Sequence, residues 1–317
     1  MLNKALEIGL VDAPNERSSH VENIPKGGGA VFAVIFTLFN LYLYLQEPNF
    51  KPIVVSLLIS GPALFALGWL DDRLRLSATV RLFVHFLVAG FAIFSLTHGF
   101  SQDFTVLFLP HILWINIVFC LLYLVWFINL YNFMDGVDGI AGGVGIVAAF
   151  ALSFICYQRL ETELLAGMYY VLGCSIVGFL FFNWSPAKLF MGDSGAYFLG
   201  INFAVLSLIG KIQWDLSLYP TIIIFGLFIT DATFTLLTRV LRKQNPYKPH
   251  QQFGFHKLIK KGWGHGRAAT LYISITLFWL FPLAYLSLQF ETYGVGLVIL
   301  SYIPLIAFEV YIKAGRG

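Results

Sequence analysis

Acid and amide side chains stand at short spacing in three places along this chain: Asp71 and Asp72 in GWLDDRLRLS, Asn129, Asn132, Asp135 and Asp138 in NLYNFMDGVDG, and Asp193 in LFMGDSGAYFLG. Adjacent carboxylates raise one another's pKa or share a cation, and the arginines that follow, Arg73, Arg75 and Arg81, suit a phosphate. Asn and Asp oxygens are the hard ligands that Mg²⁺ prefers, and the glycines at 136, 139, 142 and 143 let backbone approach a ligand closely. Asp193, in a Gly-flanked turn that opens a helix, fits a metal ligand, and Phe190 just ahead is placed to stack on a base. Two more polar stretches carry the positive charge. One holds Asp12, Asn15, Arg17, His20 and Lys26 before glycines 27 to 29; the other, residues 245 to 267, holds His250, His256 and His265 among lysines and an arginine. Such groups can hold a diphosphate or anionic headgroups. Each patch also has a plain reading, as a solvated turn, a helix cap, a glycine-rich packing face or a headgroup anchor.

What surrounds these patches decides how much they mean. The chain of 317 residues is 58% hydrophobic and 12% charged, with mean hydropathy +0.77. Soluble domains are about 25% charged, so the composition indicates an all-α polytopic membrane protein. Long continuous apolar runs exclude the alternating strands of a barrel. About ten spans of roughly 20 residues are expected, near 29–46, 53–70, 80–98, 111–129, 139–157, 166–183, 191–210, 218–238, 269–288 and 293–312, in a single domain over 1–317. The span at 191–210 is the weakest of them, since it begins in a Gly/Asp motif and carries Asn202; 103–110 reads as an interfacial segment. Asn40, His85, Asn116 and Asn202, inside spans, are expected to make isolated interhelical hydrogen bonds. The net charge of +3 gives no indication of a nucleic-acid partner. Three cysteines, Cys120, Cys156 and Cys174, lie in apolar runs without metal or disulfide spacing and read as packing residues.

If the spans alternate, the connections at about 1–28, 71–79, 130–138, 184–190 and 239–268 fall on one side with the C-terminus. That side, with Arg81 and Arg239 at its edge, holds all but Lys51, Arg159 and Lys211 of the 20 Lys and Arg residues, which makes it cytoplasmic. All five polar patches then share one leaflet and can form one site. Residues 1–28 carry no apolar stretch of the signal-peptide kind, so the N-terminus is expected in the cytoplasm. A transporter also places acids in membrane helices, but it would line a path through the span midpoints.

Taken together, the motifs DxPNxRxxH with its following P and GG (Asp12 to Gly29), DDRxxLS (Asp71 to Ser77), NxxNxxDGxDG (Asn129 to Gly139), FMGDxG (Phe190 to Gly195) and a His-bearing loop before the penultimate span resemble the polyprenyl-phosphate N-acetylhexosamine-1-phosphate transferases. The form PNERSSH looks closer to the branch that starts O-antigen, a lipopolysaccharide component, than to the peptidoglycan branch with its dense HHH. Here His250 and His256 are separated by Phe253 and Phe255, and His85 stands where related sequences often have Gln. The resemblance implies a bacterial inner-membrane enzyme with its site facing the cytoplasm, possible homodimers, and a reaction in which undecaprenyl phosphate attacks a UDP-N-acetylhexosamine and UMP leaves. UDP-GlcNAc is the default donor. It implies Asp193 and Asn132 as Mg²⁺ ligands, with Mn²⁺ as a substitute, and Asp71 and Asp72 as the groups that orient or deprotonate the lipid phosphate. Asn129, Asp135, Asp138 and Phe190 would shape the nucleotide pocket and Arg81 and Lys26 would meet phosphate. His256 or His250 would hold the diphosphate. A double displacement through an Asp nucleophile stays open.

Overall fold

The computed structural model describes residues 11–12, 23–99, 113–245 and 250–316. The side chains of Asp12, Asn15, Arg17, His20 and Lys248, and the 103–110 segment, lie outside the described residues. In chain order the helices are α1 (Gly29–Gln46), α2 (Lys51–Leu74), α3 (Ala78–Gly99), α4 (Leu113–Met134), α5 (Ile140–Tyr157), α6 (Glu163–Asn183), α7 (Gly192–Trp214), α8 (Tyr219–Ile224), α9 (Gly226–Leu241), α10 (Gly254–Lys260), α11 (His265–Ile275), α12 (Phe281–Gln289) and α13 (Gly294–Ile312). Among the described residues one short antiparallel pair, β1 (Val11–Asp12) with β2 (Ile24–Pro25), accompanies the helices.

Nine helical stretches among the described residues are long and apolar enough to cross a membrane. The tenth expected span, 218–238, is broken at Phe225 between α8 and α9, so neither half crosses alone. The span at 269–288 is longer than expected: α11 runs through a widened turn at Thr276–Leu280 into α12. Large apolar side chains such as Leu38, Phe83, Phe181 and Ile303 face outward. A water-soluble surface would not carry so many, whereas hydrocarbon accepts them, and the protein is a multi-pass membrane protein.

The span that looked weakest is the centre of the bundle. Every residue of α7 from Ser194 to Gly210 is buried, as expected of a helix enclosed on all sides. Asn202 bonds within its own helix, its Nδ2 donating to Phe198 O at 2.7 Å, and Asn40 does the same with Phe36 O, while the Oδ1 of each is buried without a partner. These two are therefore intrahelical, not interhelical. His85 does bond across helices, to Asn129 at 3.3 Å. Cys120 and Cys156 are buried packing residues, while Cys174 faces outward.

Candidate active site

The loop ahead of α7 ties the MGD patch to the Lys26 segment. Phe190 N donates to Pro25 O (2.9 Å), and Gly28 N donates back to Phe190 O (2.9 Å), so the Lys26 segment runs along the start of the MGD motif. Lys26 Nζ lies 3.4 Å from Asp72 Oδ1. The end of α2 and the start of α7 meet backbone to backbone: a Cβ built on Gly68 would sit 2.3 Å from Ser194 N. Gly192 has φ +75°, and a Cβ there would fall 2.6 Å from Asp72 Oδ2. Glycine is thus needed at 192 both for the left-handed turn and for the room that brings Asp72 beside Asp193.

Asp193 is met from the other side by α4. Asn132 Nδ2 donates to its Oδ1 at 2.5 Å. α4 continues to Met134, five residues beyond the expected end, and this puts Asn129 and Asn132 on the helix, one turn apart. Asp135 follows at the helix end. Burial, then the charges of Asp193 and Asp72, push its carboxyl well above the usual range. Asp72, Asp135 and Asp193 therefore form one cluster of carboxyl groups that disfavour one another's ionisation, with Lys26 at its edge.

Asp71 does different work from its neighbour. It is 4% exposed and fully engaged: Leu76 N donates to Oδ1 (2.8 Å), while Arg81 Nη1 (2.9 Å) and Tyr197 Oη (3.1 Å) donate to Oδ2. Tyr197, one turn after Asp193, also lies edge-on to the His85 ring at 4.8 Å, and His85 reaches Asn129. Asp71 and Asn129 thus belong to a brace behind the acids, which fixes Arg81 with a third of its side chain exposed. Neither Asp72 oxygen meets a donor in good hydrogen-bond geometry, although both are buried.

The fifth patch closes the other flank. His265 Nδ1 lies 3.1 Å from Asp138 Oδ1, and Ala187 N donates to Asp138 Oδ2 at 3.1 Å. Burial raises the Asp138 carboxyl, but the contacts with His265 and Ala187 outweigh it and hold it below the usual range. Asn183 continues the strut, accepting from Gly139 N (3.0 Å) and donating to Leu189 O (3.1 Å). Gly136 backs onto the Phe255 ring, with His256 Cε1 next in reach, and Phe253 stacks on Phe133 at 5.7 Å. His256 is therefore brought to the Asp135 end of the site. His250 is held elsewhere, against Phe253 (4.7 Å), its Nδ1 accepting from Gln252 N (3.3 Å).

Burial and the nearby positive groups push His256 down to about 3, and burial with Arg239 pushes His250 to about 4. Both imidazoles are neutral at pH 7. The unfolded chain takes up these protons near pH 6.5 and the folded chain does not, so stability present above 6.5 is lost as pH falls towards the folded values. Lowering pH from about 7 to about 5 should reduce stability by about 1–2 kcal/mol for His256. Thermal unfolding in detergent measures this, and a His256→Gln variant should show a smaller loss; an equal loss in the variant would contradict it.

Tyr197 and Asn183 are not among the residues the motifs single out, and His265 is one of three histidines in the 245–267 stretch that the sequence leaves undistinguished. Tyr197 was legible in principle, four residues after Asp193 on one helix face. His265 was indistinguishable from its charged neighbours, and Asn183 shows only through the turn it holds. The transporter reading is disfavoured, since the polar contacts gather at one end of the bundle.

A helical membrane bundle whose acids, amides and basic groups converge at the ends of α2, α4 and α7 has the makings of an enzyme that handles phosphate esters at a bilayer surface. A profile described as Glycosyl transferase family 4 matches residues 54–211. The chain is 34% identical over 306 residues, 93% of its length and 82% of the relative's, to the probable undecaprenyl-phosphate N-acetylglucosaminyl 1-phosphate transferase of Bacillus subtilis (strain 168). It is 30% identical over 283 residues (84% of this chain, 74% of the relative) to the undecaprenyl-phosphate alpha-N-acetylglucosaminyl 1-phosphate transferase of Yersinia pestis. A phospho-N-acetylmuramoyl-pentapeptide-transferase of Lactobacillus gasseri shares 29% over 238 residues (71% and 72%). The chain belongs to glycosyl transferase family 4, as a transferase of its polyprenyl-phosphate N-acetylhexosamine-1-phosphate group.

Proposed function

We propose that the protein transfers N-acetylglucosamine 1-phosphate from UDP-GlcNAc to undecaprenyl phosphate at the cytoplasmic face of a bacterial inner membrane. The observation that carries this reading is the convergence of Asp72, Asp193 with Asn132, Asp135 and Lys26 at one end of the bundle. A phosphate oxygen of the lipid attacks the β-phosphorus of the donor, the bond between the two phosphates breaks, and UMP carries the electron pair away. Little covalent chemistry is asked of the protein; placement and charge compensation supply the acceleration.

Mg²⁺ fits this donor set. Asp193, Asn132 and the undersatisfied, buried Asp72 offer hard oxygens next to one another, and Mg²⁺ is commonly held by one or two carboxylates plus substrate phosphates. Among the described residues no group of three or more His, Cys, Asp or Glu side chains is placed to hold a metal ion by itself, so substrate phosphates and water would complete the coordination. When bound, the ion neutralises charge on the phosphoryl oxygens. Asp72 orients the attacking phosphate and takes its proton where one is present. Asp71 holds Arg81 so that the free part of the guanidinium meets that phosphate. Asp135 and Asp138 shape the nucleotide side, Phe190 stacks on the base, and neutral His256 donates a hydrogen bond to the diphosphate.

The product would begin a lipid-linked cell-surface polysaccharide; the motif resemblance favours O-antigen, and the relatives' names leave other cell-surface polymers equally served. Purified protein given undecaprenyl phosphate, Mg²⁺ and a panel of UDP-sugars should release UMP with UDP-GlcNAc and stop when EDTA is added. No UMP from any UDP-N-acetylhexosamine would refute the assignment, and release with a different sugar alone would move the donor.

A further inference from the structure

We infer that Asp231 on α9 is a positioning residue, which holds His256 against the acidic cluster by capping α10; this rests on the role proposed above for His256. An acid inside an apolar span costs several kcal/mol unless its oxygens are satisfied. Asp231 is 0% exposed, and its strongest bonds leave its own helix. Gly254 N donates to Oδ1 at 2.6 Å and Phe255 N to Oδ2 at 3.4 Å, while Tyr272 Oη donates to Oδ2 at 2.6 Å. Thr235 Oγ1, at 3.4 Å, is the one partner from α9 itself.

Gly254 and Phe255 begin α10, where backbone N–H groups have no intrahelical acceptor. His256 is the next residue. Tyr272 lies on α11, which starts at His265, the partner of Asp138. One carboxylate therefore ties the two helices that bring histidines to the site onto α9, a helix of the bundle. Glu309 of α13 also stands against Gly254, buried, with neither oxygen hydrogen-bonded, and a Cβ on Gly254 would come within 2.8 Å of it. Two buried acids thus meet the start of α10, and Asp231 is the one that bonds to it. Chemistry at the site needs none of this capping directly; it needs the imidazole to arrive at a fixed distance from the Asp135 end.

The test is a double-mutant cycle on purified full-length protein, with UMP release as the readout. Asp231→Ala is expected to lower kcat by about 10-fold to 100-fold, with KM for donor and lipid little changed. Asp231→Asn, whose amide oxygen still accepts from Gly254 N but whose amide nitrogen cannot accept from Phe255 N and Tyr272 Oη, should lose a smaller but measurable part of the rate. If Asp231 acts through His256, the Asp231→Ala/His256→Ala double variant is no slower than His256→Ala alone. Losses that multiply, or a wild-type kcat in Asp231→Ala, overturn the positioning role and leave His256 in place. A wild-type kcat in His256→Ala overturns the reading of His256 and this inference with it. Should Asp231→Ala fail to fold, Asp231→Asn carries the same cycle together with trypsin cleavage at Lys257 and Lys260. Faster cleavage with a reduced rate that His256→Ala masks supports the inference; cleavage and rate both as in the wild type overturn it.

Discussion

Asp193→Asn is expected to lower transfer by about 10²–10³-fold or more while leaving the protein folded. The substitution keeps the size of the side chain and its contact with Asn132, which accounts for the intact fold. It removes one negative charge from a site where Asp72 stands just across Gly192 and Asp135 follows behind. If charge compensation of phosphoryl oxygens drives the reaction, one lost carboxylate is a loss at the transition state and appears in kcat. UMP release at saturating Mg²⁺, with the detergent-phase elution profile as the folding control, measures it. Wild-type turnover would end the assignment of Asp193 as a metal ligand. Asp72→Asn makes the companion case: turnover should fall while binding of the UDP-sugar, measured by calorimetry, stays largely intact.

Gly68→Ala is the second large effect, and it touches no substrate. A methyl group there meets Ser194 N at 2.3 Å, Ser194 Cα at 2.4 Å and Asp193 C at 2.5 Å, all backbone atoms that no rotamer change can move. The ends of α2 and α7 must separate, and with them Asp72, one turn beyond Gly68, and Asp193. Overpacking of this kind costs about 1–3 kcal/mol of stability, and a shift of about 1 Å between reacting groups costs about 10²-fold in rate. Gly90→Ala, on α3 with nothing within 4 Å of the new methyl, is the control that should keep both stability and activity. If Gly68→Ala turns over normally, the backbone contact does not set the spacing of the acids.

The spans were legible because apolar runs of about 20 residues leave a helix few alternatives in hydrocarbon, and the grouping of the five patches followed from the Lys/Arg asymmetry. Glycine-interrupted motifs at helix ends also announced Asp72, Asp193 and Asn132. The different duties of Asp71 and Asp72 were not legible. They depend on which way two successive residues face at the end of α2, and on Tyr197, which reads as one more aromatic in an apolar helix. Asp231 and Glu309 are another matter: an acid inside a span is itself a signal, yet the polar residues singled out within spans are Asn40, His85, Asn116 and Asn202, and these two acids are not among them. The use of Asp231, capping a loop helix from below, lies some twenty residues away in the chain and needs the fold to become visible. The break at Phe225 carries no proline or glycine pair at the break itself that would have announced it, although Gly226 follows it.

α7 begins in the acid cluster and is walled in by the rest of the bundle along its length, whereas the histidines hang from the 239–268 connection at the rim. The acids are thereby fixed to a helix that cannot shift without the whole bundle, whereas His256 depends on the short α10 and the carboxylate of Asp231 beneath it.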